Sequence, residues 1–224
     1  MDEVFYNVCK ERLSRISDSM FYTNQAYCVI LQLRDFQENH NELINISPAF
    51  YNCIQDCCME YLFIEVDKMF DPKKEREGVY GLLNKIKDSI DLLDLNRTIE
   101  SNETTALNNH TMKGRKFDNI VQLVDENIKM IEEAQGIIKK VKTLRDKYFA
   151  HREVKRDFDV LFRNNSVSLS DIEALLVLSV NAINALNMYF NDKTLFPITI
   201  DYDDFKKTVF YIQKGVETIR KQEG

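Results

Sequence analysis

The stretch LRDKYFAHRE, residues 144–153, gathers residue types that can move protons and hold anions. The chain has three histidines, His40, His110 and His151, and histidine is the side chain whose ordinary pKa lets it gain or lose a proton near neutrality. Arg145 stands before His151 with five residues between them, and Asp146 directly follows the arginine. Arginine carries a permanent charge on a planar fork of donors that matches phosphate oxygens. The surroundings are basic. Lys139, Lys140, Lys142, Arg145, Lys147, Arg152, Lys155 and Arg156 are opposed within residues 139–156 only by Asp146 and Glu153, a local charge of +6 in a chain whose net charge is −6. His40 and His110 have no such setting.

On a straight α-helix, Arg145 and His151 lie about 120° apart around the axis and about 9 Å apart along it, so they do not meet within one chain. The plainer alternative is a helix end whose basic residues complement the dipole and cap carbonyls, with a solvated charged face around them.

Other chemistries find no residues to carry them. The six glycines are dispersed, which rules out a Gly-rich phosphate loop, and the sequence has no H-E-x-x-H, no Glu-x-x-His and no G-x-S-x-G. No metal and no cofactor are expected. Of the five cysteines, Cys9, Cys28, Cys53, Cys57 and Cys58, none forms a CxxC pair. Cys53 and Cys57 are four apart, which leaves a zinc or redox role open, but the expectation is buried free thiols in a reducing compartment.

The elements that must position residues 144–153 are helical. Six glycines and three prolines in 224 residues are too few turn residues for a strand-rich fold. Apolar periodicity predicts a first helix over residues 2–38, with a break near 17–19, and a second from Ser47-Pro48 to about residue 70, stopped by Asp71-Pro72. A shorter helix is expected over 79–93, a long one over 117–149, and another opened by Ser170-Asp-Ile-Glu173 as a capping box. A C-terminal helical extension occupies 201–224. Residues 96–114, rich in Asn and Thr, read as a long polar loop, and 195–200 as locally extended. The expected class is all-α, an antiparallel bundle with additional C-terminal helices in a single domain over 1–224. Hydrophobic and charged contents of 44% and 29% are those of a soluble globular protein. No apolar run reads as a membrane span and no leader-like segment opens the chain, so a cytoplasmic location and no membrane partner are expected.

Arg145-Asp146-x4-His151, late in a long helix, resembles the R-x(4–6)-H signature of the HEPN superfamily, the higher eukaryotes and prokaryotes nucleotide-binding proteins. Together with EVDKMFDPKKEREGVYGLLNKI at 65–86, it is similar to the AbiU-type abortive-infection branch of HEPN, over roughly residues 20–190. The resemblance implies a HEPN-type helical bundle, homodimerisation, and metal-independent endoribonuclease activity in phage defence or as a toxin, with RNA as substrate and an antitoxin protein as a further partner. It implies that His151 from two protomers supplies acid and base for 2′-OH attack and that Arg145 holds the scissile phosphate, with Asp146 orienting one of them. Lys147, Arg152, Lys155 and Arg156 would bind flanking phosphates, and Tyr148 or Phe149 would stack on a base. The alternative implied by the same family is a non-catalytic module binding a nucleotide, RNA or protein.

Overall fold

The computed structural model describes residues 1–39, 41–45, 47–101, 104–106, 110–112, 114–149 and 166–193, together with 207, 210–212, 214, 215 and 218 near the C-terminus. The all-α class holds. Helix α1 spans Glu3–Asn39 without a break, α2 Asn41–Ile44, α3 Pro48–Met69 and α4 Val79–Asp88, the last followed by a 3₁₀ turn Ile90–Leu92. Helix α5 spans Ile120–Glu133, α6 Gln135–Leu144, and α7 Leu169–Asn191. The seven described residues between 207 and 218 are helical, whereas 195–200 lie outside the described residues.

Long-range side-chain bonds give the bundle its directions. Tyr6 Oη donates to the Phe190 carbonyl at 2.7 Å and Tyr27 Oη to that of Leu169 at 3.3 Å, so α1 and α7 run antiparallel. Likewise Ser19 Oγ donates to Glu65 Oε2 at 2.5 Å while Phe36 meets Tyr51, 5.7 Å between rings, so α1 and α3 are antiparallel. The apolar stripes converge on one core that includes Leu13, Ile16, Leu62, Val66, Leu82, Ile120, Leu144 and Ile183, each removed from water. Helix α7 is long and apolar enough to cross a membrane by length and composition, with mean hydropathy 1.5 over its best window, but 56% of that window is buried inside the protein. It is the central helix of the bundle.

Four expectations need correction. Residues 96–114 are not simply a loop: β1 Ile99–Ser101 pairs antiparallel with β4 Arg115–Phe117, and β2 Thr104–Ala106 with β3 His110–Met112. Both ladders keep the same register, Ile99 opposite Phe117 and Ala106 opposite His110, so they are two stretches of one hairpin. Its base is anchored by side chains. Tyr189 Oη accepts from the Asp94 amide at 2.9 Å, and Arg115 pairs with Glu126 at 2.7 Å while lying over the Phe117 ring. Secondly, the helix expected over 117–149 is divided at Ala134, and it ends in a π turn, Arg145–Phe149. Thirdly, the capping box of α7 sits two residues earlier than expected, on Ser168 and Asp171, whose side chains bond each other's backbone amides. Those bonds hold the Asp171 carboxyl below its ordinary pKa. Finally, only Cys9 and Cys28 are buried; Cys58 is half-buried, and Cys53 and Cys57 are exposed, all five free thiols.

The link between α3 and α4 is held by a cation. Arg12, buried in α1, donates through its guanidinium to the carbonyls of Lys74 and Arg76. Gly78 permits the tight return, because a Cβ there would run into the Lys68 and Met69 carbonyl oxygens. Gly78→Ala is therefore expected to lower the urea midpoint, and Leu82→Ala, which empties a fully buried position, to cost about 2–5 kcal/mol of unfolding free energy measured the same way.

Candidate functional site

Helix α6 lays Ile138, Val141 and Leu144 against the core and leaves Lys139, Lys140 and Lys142 in water. This is the amphipathic pattern of LRDKYFAHRE carried back one further turn, and it fixes where Arg145 emerges: at the junction of α6 and the π turn, against the C-terminal end of α3. A π turn widens the helix to i→i+5 bonding, a local device common at functional sites. The 120° separation expected of Arg145 and His151 assumed α-helical geometry throughout, and the π turn removes that assumption.

Arg145 is met there by two carboxylates. Its Nη2 lies 3.0 Å from Asp67 Oδ2 and 2.8 Å from Asp146 Oδ1. Asp146, expected to orient its neighbours, does touch Arg145. Asp67 comes from α3, is buried, and packs beside Val66 and Met69. Burial pushes its carboxyl above the ordinary 3.8; Arg145 and then Lys142 pull it down, and Asp146 and Asp71 push it up again, leaving a net rise. Arg145 Nε is buried and has no hydrogen-bond partner among the described residues. An unmet buried donor of this kind costs about 1–3 kcal/mol. Nη2 thus holds two carboxylates, while Nε, on the same edge of the guanidinium, is buried without a partner among the described residues. Around it Lys142 and Lys147 are exposed and Asp146 is half-exposed.

The site is only partly described. Tyr148 contributes its backbone to the π turn; His151, Arg152, Lys155 and Arg156 lie outside the described residues. Among the described residues no group of three or more His, Cys, Asp or Glu side chains is arranged to hold a metal ion. A cleft of about 590 Å³ between Lys10 and Glu11 of α1 and Asn187 and Asn191 of α7 shares no lining residue with the Arg145 constellation.

Asp67 is the residue that sequence reasoning passed over. Its signal was present: an acid beside Val66 and one helical turn after Phe63, at the border of an apolar stripe, where a charge requires a partner. The partner, 78 positions away, is visible only in three dimensions.

The helical bundle sets the basic end of α6 and Arg145 at the close of a long amphipathic segment. The chain is a member of the HEPN AbiU2 family, whose model, described as AbiU2, matches residues 8–208. Comparison with curated proteins and with solved structures found no match.

Because the folded-state pKa of Asp67 is raised, the folded chain binds this proton more readily than the unfolded chain does. Its contribution to stability is therefore full below the ordinary value of 3.8 and is lost as pH rises through the folded value. Asp67→Asn should abolish that component in a series of urea titrations across the acid range; an unchanged slope would show that Asp67 titrates as an ordinary surface acid.

Proposed function

We propose that this chain is a metal-independent endoribonuclease of the HEPN type, acting in abortive infection or as a toxin, whose site is completed by a second copy of itself. The observation that carries this reading is Arg145. In an AbiU2 family chain it stands at a π turn with one edge clamped by Asp67 and Asp146 and with its Nε unmet, six positions before His151. A phosphodiester held by the Arg145 guanidinium would place the scissile phosphate within the basic end of α6. One His151 imidazole would take the proton of a ribose 2′-OH as that oxygen attacks phosphorus, and the His151 of a second protomer would protonate the departing 5′-oxygen. The products are a 2′,3′-cyclic phosphate and a 5′-hydroxyl. Asp67 acts on this chemistry through Arg145, as a positioning residue. Lys147, with Arg152, Lys155 and Arg156, would neutralise flanking phosphates, Tyr148 would stack on a base, and an antitoxin protein would mask this surface.

The test is RNA cleavage by the full chain in EDTA. Wild type is expected to leave cyclic-phosphate ends, and His151→Ala to lower the rate at least about 100-fold. Arg145→Ala would strand the buried Asp67 charge, which costs about 3–5 kcal/mol, so the informative variant is Arg145→Lys. It keeps the charge and loses the fork, and should also lower the rate at least about tenfold with the thermal midpoint nearly unchanged. Cleavage by His151→Ala at the wild-type rate sinks the proposal. RNA binding without cleavage by wild type would establish the non-catalytic module instead.

A further inference from the structure

Helix α3 carries a second concentration of reactive side chains, on a face that the Arg145 site does not use. Cys53 and Cys57 are one helical turn apart, both exposed and both free. On the continuous helix Pro48–Met69 that i, i+4 spacing places both side chains on one face, with Asp56 and Glu60 in the same stretch. From residue 35 to residue 67 the chain contains no lysine or arginine. The stretch itself is therefore acidic. Cys58, next in sequence, turns away and is half-buried.

We propose that Cys53 and Cys57 form a dithiolate site for a soft, thiophilic cation, with monovalent copper as the ion that two thiolates suffice to hold. Soft sulfur ligands select such ions over hard ones. Side chains at i and i+4 have Cβ atoms about 5–6 Å apart. From that spacing, rotation about χ1 sets the sulfurs about 4–5 Å apart, the span of a two-coordinate ion at metal–sulfur distances of about 2.3 Å. A disulfide asks for something the helix does not offer, because it requires Cβ atoms about 3.5–4.5 Å apart. Binding is a plain exchange: one Cu⁺ enters, two thiol protons leave, and no electron moves. Because two protons are released on binding, binding should strengthen as pH rises.

The experiment titrates the fully reduced, full-length protein under anaerobic conditions with Cu⁺ presented as its bicinchoninate complex, reading loss of the chelator's colour. One equivalent transferred per chain is expected, with two protons released. Cys53→Ser and Cys57→Ser should each weaken transfer at least about 100-fold, while Cys58→Ser and Cys9→Ser leave it unchanged. Both exposed positions tolerate serine, which an unchanged far-ultraviolet circular dichroism spectrum verifies. No transfer to the wild-type chain overturns the proposal, as does transfer that persists in the Cys53→Ser, Cys57→Ser double variant.

Discussion

The carboxylate of Asp67 is held out of water near the end of α3, and the guanidinium of Arg145 is the charge that makes this tolerable. A buried pair of this kind adds little net stability, since desolvating both ions offsets most of their attraction. What it does is constrain position. Asp67 cannot lose Arg145 without being stranded, so the end of α3 is tied to the start of the π turn. The contact is also lopsided: Nη2 serves both Asp67 and Asp146, and Nε has no acceptor among the described residues.

That constraint is supported from behind. Arg12 of α1 clamps the 71–78 link through the carbonyls of Lys74 and Arg76, and Gly78 lets the link return close under the end of α3. The same stretch includes Asp71, whose charge adds to the upward pressure on the Asp67 carboxyl. A surface basic window is thus mounted on a buried ionic contact, and that contact on a second buried cation. Helix α3 serves two faces at once. One presents Asp67 to Arg145; another leaves Cys53, Cys57 and Tyr61 open to solvent.

The amphipathic periods of residues 2–38 and 48–70, the Asp71-Pro72 stop and the scarcity of glycine and proline dictated the helical class and most helix boundaries, because these are local properties of a chain with a 3.6-residue repeat. Arg145 and its basic neighbourhood were legible for the same reason. Tertiary structure alone decided the rest. The 99–117 hairpin carries Thr, Asn and Ser without an alternating apolar face, so its strands are held by cross-strand backbone pairing and by anchors at Tyr189 and Glu126 that lie far along the chain. The cysteines all look like small apolar residues in sequence; which of them end up covered depends on how the helices pack. Asp67 meeting Arg145 depends on the packing of α3 against α6 and the π turn, and no local pattern in either segment encodes a contact between charges 78 residues apart.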